Sequence, residues 1–179
     1  MIFFTSDTHF YHTNVIKHSS RPFKDIENMN RALIENWNST VTDNDEIFIL
    51  GDVTLKGTSY ANKILSRLNG QKYLVKGNHD RFAEQQSFDK SSLIWIKDYY
   101  ELRCKDMLFI LFHYPIKDWN HRHHGAIHLH GHQHNTADYN QKNMQSQIRR
   151  FDVGVDANDL RPVSIEKILS AFAPADIKS

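Results

Sequence analysis

Five short apolar runs in this chain each end in a side chain able to bind a cation, and that repetition limits the possible folds more than any other feature. Ile2-Phe3-Phe4-Thr5 leads into Ser6-Asp7-Thr8-His9, and Glu46 to Leu50 leads into Gly51-Asp52. Tyr73-Leu74-Val75 leads into Lys76-Gly77-Asn78-His79-Asp80. Met107 to Phe112 delivers His113, and Ala126 to His130 delivers Gly131-His132-Gln133-His134. Runs of this length and composition read as buried strands. In α/β sheets the C-terminal ends of strands are where ligands bind.

The segments between the runs supply the rest of an α/β pattern. Ile26, Met29, Leu33 and Trp37 recur at spacings of three and four behind Asp25, a candidate N-cap, and predict an amphipathic helix. Ala61, Ile64, Leu65 and Leu68 predict a second helix that stops near Asn69-Gly70. Strand, helix, strand, helix, strand argues for a layered α/β core. From Leu93 the pattern turns to strands, with Ile94-Trp95-Ile96 and Tyr99 to Arg103 preceding the run that delivers His113. Asn135 to Arg150 is polar, without clear period, and reads as a surface loop. Phe151 to Val155 reads as a last strand, and Ser164 caps a final helix carrying Ile165, Ile168, Leu169 and Phe172.

At 179 residues the chain is most simply one domain, 1–179. A formal net charge of +1 gives no global reason to bind nucleic acid or an anionic membrane. Met1 to Phe4 turns polar by Thr5, as a first strand does and a signal peptide does not. No apolar run approaches the ~20 residues that span a bilayer. Cys104, the one cysteine, has no internal disulfide partner and reads as a packing residue, which fits a reducing compartment. A soluble, cytoplasmic protein is the expectation.

The strand ends together carry Asp7, His9, Asp52, Asn78, His79, His113, His132 and His134. Neutral nitrogens with carboxylate and carboxamide oxygens suit borderline divalent metals, and an aspartate can bridge two cations through its two oxygens. A lone zinc needs only three or four such groups, so the inventory suits two metals better than one. Taken singly, each piece has a plainer reading. Asp-x-His and Gly-Asp occur as turns, and a lone His113 reads as a hydrogen-bonded core histidine. Gly-His-x-His is stronger, because a spacing of two puts both rings on one side of an extended chain. In this order, each at a strand end, the five point to a metal site.

At this point the chain resembles a known family. Asp7-x-His9, Gly51-Asp52, Gly77-Asn78-His79-Asp80, His113 and Gly131-His132-x-His134 are similar to the ordered signature of the calcineurin-like metallophosphoesterases. Val153-Gly154-Val155-Asp156 and Pro162-Val163-Ser164 resemble the tail of its small bacterial and phage members. The resemblance implies a two-layered β-sheet core flanked by helices. It implies one divalent metal on Asp7, His9 and His134 and a second on Asn78, His113 and His132, with Asp52 bridging. It implies His79 as general acid, and Asp80 either orients that imidazole or is an ordinary turn aspartate. The reaction implied is hydrolysis of a phosphodiester or phosphomonoester by a metal-bridging hydroxide. Manganese, iron, zinc and nickel all suit such mixed donors, and manganese is the first expectation.

The substrate contacts are less sharply drawn. His12 is either a substrate contact or a solvated loop residue, and Arg81 is a candidate for a phosphate or leaving group. The stretch from Tyr114 to His124 forms a candidate lip, with Arg122 or a histidine for phosphate and Trp119 or Tyr114 for a base. A surface loop with Trp119 packed inward is the competing reading. His128 and His130 read as strand histidines, and Arg149 and Arg150 as solvated. The expected substrate is a small phosphodiester or a nucleotide. A basic rim of Arg21, Lys56, Arg81 and Arg122 would instead favour DNA or RNA ends. A non-catalytic metal-binding scaffold is the least favoured alternative. Nothing in the pattern specifies an oligomeric state.

Overall fold

Strict alternation along the apolar runs sorts their side chains onto two faces. The computed structural model, which describes residues 1–173, shows what each face covers. The first sheet contains β1 (Ile2–Thr5), β2 (Glu46–Ile49), β3 (Gln71–Val75), β4 (Trp95–Lys97) and β9 (Val163–Ser164). Its order is β4-β3-β2-β1-β9, with only β9 antiparallel to its neighbour. The second contains β5 (Tyr100–Cys104), β6 (Met107–Leu111), β7 (Ile127–His130) and β8 (Arg150–Asp152), in that order. The β5–β6 hairpin is antiparallel and the other two pairings are parallel. An isolated parallel bridge between Ser6 and Gly154 joins the ends of the two sheets.

Phe3, Ile47, Ile49 and Leu74 face the helices α2 (Ile26–Asn38) and α3 (Thr58–Leu65), packing on Met29, Leu33, Trp37 and Ile64. Their neighbours Phe4, Phe48, Leu50 and Val75 face the other way, onto Phe109, Leu111, Ile127 and Leu129 of the second sheet. This inter-sheet layer is aromatic at its centre, where Phe4 lies 5.6 Å from Phe48 and 6.0 Å from Phe109 between ring centroids. The two-sheet α/β architecture is as the sequence implies. The two N-cap signals hold as well: Asp25 caps α2 through the Asn28 amide, and Ser164 caps α5 (Ile165–Ala171) through the Lys167 amide, whereas α3 ends at Leu65, short of the stop expected near Asn69-Gly70.

Three local expectations are corrected. Within the expected loop at Asn135–Arg150 lies a helix, α4 (Ala137–Gln145). Its inward face is polar, which is why no apolar period marks it. Asn140 accepts from the Asp152 amide at 2.7 Å and donates to the Asp152 carbonyl at 2.9 Å, so a carboxamide pairs with the free edge of β8. A six-residue helix, α1 (Thr13–His18), buries only Val15 and precedes α2. The expected last strand stops at Asp152, and the chain returns later as β9. Arg149 and Arg150 are half-buried rather than solvated, the second donating to the Ile116 carbonyl at 3.1 Å.

His128 and His130 lie on the outer face of the second sheet and are fully buried. Both are strand histidines, as expected. His128 contacts the Ile110 and Tyr114 carbonyls at 3.1 Å each, and His130 contacts the Tyr139 hydroxyl at 3.1 Å. Burial pushes His128 down to about 3 and His130 to about 4, so both are neutral in the folded chain. An unfolded histidine binds its proton near pH 6.5. The stability that these rings contribute is therefore complete above that pH and is lost as pH falls towards 3. Melting temperature is expected to fall steadily from pH 6.5 to pH 4, and the slope to be shallower in His128→Gln.

Candidate metal centre

Five of the residues expected at the centre have left-handed backbone. Asp7 (φ 56°), His9 (50°), Asp52 (58°), His132 (73°) and His134 (50°) lie where non-glycine residues are disfavoured by roughly 1–2 kcal/mol each. Such conformations persist only where surrounding bonds over-determine them. Here the Asp7 amide donates to the Gly51 carbonyl at 3.0 Å and the His9 amide to the Asp52 carbonyl at 3.0 Å. The Gly131 amide donates to the His113 carbonyl at 3.0 Å. A Cβ on Gly131 would run into Ser6 Oγ and Asp7 Oδ2, and one on Gly77 into Asp52 Oδ1. Glycine is required at both positions to make room for the carboxylates.

The side chains converge into two groups. In the first, His9 Nε2 and His134 Nε2 are 3.1 Å apart, and Asp7 Oδ1 lies 3.9 Å and 4.0 Å from them. In the second, His113 Nε2 lies 3.1 Å from Asn78 Oδ1 and 3.2 Å from His132 Nδ1. Asp52 Oδ2 stands between the groups, 3.6 Å from His9 Nε2 and 3.5 Å from His113 Nε2. Its other oxygen accepts from the His79 amide at 2.9 Å. A bridge through Asp52 would thus use one oxygen, not the two that its chemistry allows.

These atoms fit cations by an internal test. His113 Nδ1 donates to the Leu50 carbonyl at 2.7 Å, and His134 Nδ1 to Asp156 Oδ2 at 2.7 Å, so each ring, when neutral, turns an Nε2 lone pair inward. Asp7 Oδ1 is buried with no donor. Converging lone pairs without hydrogens between them repel one another, and a cation reverses that sign. Without a cation the buried groups would keep protons instead: burial lowers His134, but its bond to Asp156 and the nearby Asp7 raise it above the usual imidazole range. Burial drives Asp7 up to about 8 despite the His134 charge. His9 is driven down to about 2 by burial and then by His134, so its ring is neutral and free to donate electrons. Burial would also raise Asp156, but its bonds from His134 and Arg21 hold it below the usual carboxylate range.

Other expected site residues divide. The His79 side chain is exposed at the mouth of the centre, with Nε2 4.0 Å from Asp52 Oδ2 and its ring 5.6 Å from that of His9. His12 stands next to them, its ring 5.5 Å from His9. Arg81 lines a cavity beside Asn78. Asp80 does not orient His79: its carboxylate accepts from the Asp52, Val53 and Gly77 amides at 2.8, 2.8 and 2.9 Å. Trp119 is also no stacking platform. It packs on Leu108 and Ile110, donates to the Ala126 carbonyl at 3.0 Å and is covered by Arg122, whose other neighbour is Asp118 at 3.6 Å.

Arg21, a candidate for a basic rim, is buried. It forks onto Asp156 at 2.7 and 2.9 Å and donates to the Asp7 and Thr8 carbonyls at 2.6 and 2.9 Å. With Asp156 it forms a support beneath His134 that no spacing reveals, since the pair are 135 residues apart. The one sequence signal was Asp156 in the closing motif.

Comparison with known proteins agrees with this geometry. Residues 1–154 match the family model of the calcineurin-like phosphoesterase superfamily domain. An uncharacterized protein of Methanocaldococcus jannaschii is 34% identical over 170 residues, covering 94% of this chain and 89% of that protein. The Gene 66 protein of Mycobacterium phage D29 is 29% identical over 190 residues, covering 90% of this chain and 92% of that protein. The crystal structure of a protein of unknown function from Aquifex aeolicus superposes with a TM-score of 0.73 at 28% identity, covering 95% of this chain and 98% of that one. The fold and its centre thus define a metal-dependent hydrolase acting on phosphoesters. The chain belongs to the calcineurin-like phosphoesterase superfamily. Among the described residues, no helix is long and apolar enough to cross a membrane.

Asp80 holds three backbone amides, and two of them position Asp52 and Gly77. Asn at this position turns an NH2 group towards at least one of those donors. Asp80→Asn is expected to lose on the order of 2–3 kcal/mol in urea unfolding of the metal-free protein, as an unsatisfied buried amide requires.

Proposed function

We propose that the chain hydrolyses phosphodiesters, or phosphomonoesters, at a binuclear centre, on small phosphodiesters or nucleotides. The observation that carries the reading is the position of Asp52 Oδ2, nearly equidistant from His9 and His113 and therefore shared by both groups. Asp7, His9 and His134 would hold one divalent cation, and Asn78, His113 and His132 the second, with Asp52 common to both. Such a pair supplies a nucleophile at neutral pH and clamps the phosphate for in-line displacement. Mixed nitrogen and oxygen donors accept manganese, iron, zinc or nickel, and manganese is the first to test.

This chain's own residues supply the rest. His79 has no ligand role, and its side chain faces solvent within reach of a leaving oxygen beside the centre. Imidazole is the side chain that exchanges a proton near neutral pH, which suits it to protonate that oxygen. Asp80 shapes the loop between Gly77 and His79 without touching substrate. Asp156 and Arg21 fix the tautomer and the direction of His134. The basic rim that would favour DNA or RNA ends is reduced, because Arg21 is buried and Arg122 is taken up by Trp119 and Asp118. Lys56 and Arg81 remain exposed.

Hydrolysis of bis-p-nitrophenyl phosphate beside p-nitrophenyl phosphate tests the reading, using metal-stripped protein resupplied with manganese. Metal-dependent diester cleavage is expected, lost in Asp52→Asn and reduced about a hundredfold in His79→Ala with metal content unchanged. Cleavage that survives both metal removal and Asp52→Asn would overturn the binuclear reading. Asp156→Asn leaves every proposed ligand in place, yet is expected to weaken metal binding by about 10–100-fold in a competition titration, as loss of a partner behind a ligating histidine does.

A further inference from the structure

A cavity of about 240 Å³ opens beside Asn78, next to the group that contains His113 and His132. One wall is aromatic, formed by Phe112 and Tyr114 with ring centroids 5.5 Å apart. Tyr114 is held from behind, its ring meeting those of His132 at 4.6 Å and His113 at 4.9 Å. Its hydroxyl makes no hydrogen bond within the described residues, and the residue is 37% exposed. The lining also includes Lys76, tied to Glu84 at 2.9 Å and Asp98 at 3.0 Å, and Arg81, which forms no ion pair among the described residues. The volume is below the roughly 300–1,000 Å³ of clefts that enclose drug-sized ligands, so it suits one substituent rather than a whole substrate.

His79 has its ring against His9, which Asp52 separates from His113, and does not line this cavity. A leaving oxygen that takes its proton from His79 therefore points away from Tyr114. What remains to face Tyr114 is the second ester arm. We infer that this cavity is the subsite for the arm retained on phosphorus, and that it takes an aromatic, nucleoside-like group. The ring lies on Tyr114 and Phe112, and its polar edge meets Arg81. The inference rests on the hydrolase reading above and narrows it to diesters. Water adds to phosphorus, the bond to the other arm breaks, that oxygen leaves with a proton, and the product is a phosphomonoester still seated on Tyr114. A monoester substrate has no arm to place there.

Bis-p-nitrophenyl phosphate and methyl p-nitrophenyl phosphate lose the same nitrophenolate and differ only in the retained arm. The ratio of their kcat/KM values cancels any change in the common centre, and the intrinsic difference between the esters is the same for every variant. That ratio is expected to fall about tenfold in Tyr114→Ala and in Phe112→Ala, the scale of one aromatic stacking contact, and to persist in Tyr114→Phe. Calorimetric titration of phenyl phosphate against methyl phosphate gives a readout without turnover. Phenyl phosphate is expected to bind about tenfold tighter, with the advantage lost in Tyr114→Ala. Metal content measured on each variant separates loss of the subsite from damage to His132. A ratio unchanged in both alanine variants, or equal affinity for the two phosphates, would overturn the subsite and leave the hydrolase reading standing. Absence of hydrolysis of either diester by the metal-loaded wild type would overturn the reading beneath it.

Discussion

Two carboxylates, Asp7 and Asp52, are withdrawn from water where the ends of the two sheets meet, and much of the local structure answers to that constraint. A buried carboxylate is costly unless it is paired or bonded. Each receives one backbone amide, from His132 and His79 respectively, and those amides leave Asp7 Oδ1 and Asp52 Oδ2 turned into the centre. The nearest guanidinium does not neutralise them. Arg21 binds the Asp7 carbonyl, not its carboxylate, and places its charge on Asp156. The chain therefore holds its buried guanidinium away from both carboxylates, and burial answers at Asp7 by pushing its pKa up to about 8. An external cation would offset that cost, and the left-handed φ angles at Asp7, His9, Asp52, His132 and His134 are held by the bonds around them.

Much of this was legible because parallel strands are read at their ends. A strand buried on both faces is a short unbroken apolar run, and the first polar residues after it have nowhere to go except the rim of the sheet. Asp7, Asp52, Asn78, His113 and His132 each follow such a run within a few residues, so their convergence could be inferred without knowing the strand order. Asp25 and Ser164 were equally visible, since an N-cap bond spans only three residues.

The illegible parts share a different physics. The α4 helix packs through carboxamides, so its buried face has the composition of a loop. The β9 strand is two residues long and is defined by pairing with Phe3 and Phe4, far away in sequence. Asp80 looked catalytic because it adjoins His79, but adjacency in sequence says little about direction at a turn. Its side chain points back beneath the strand ends, where three amides await an acceptor. Trp119 takes the competing reading, packed inward, because Leu108 and Ile110 alternate with the inter-sheet residues of β6 and need cover on the outer face.

The second sheet does more than enclose a core. Its inner face packs on the first sheet through Phe109, Leu111, Ile127 and Leu129, while its strand ends contribute His113, His132 and His134. Three of the proposed ligands thus come from one sheet and four from the other, and the distances between them depend on how the sheets meet. The aromatic contacts of Phe4 with Phe48 and Phe109 fix that meeting some residues behind the centre, and the Ser6–Gly154 bridge fixes it directly beneath. Close-packed interiors transmit small displacements instead of absorbing them. A shift in the inter-sheet layer would change the separation of His9 from His113 across Asp52, so the spacing of the two groups is a property of the core as much as of the ligands.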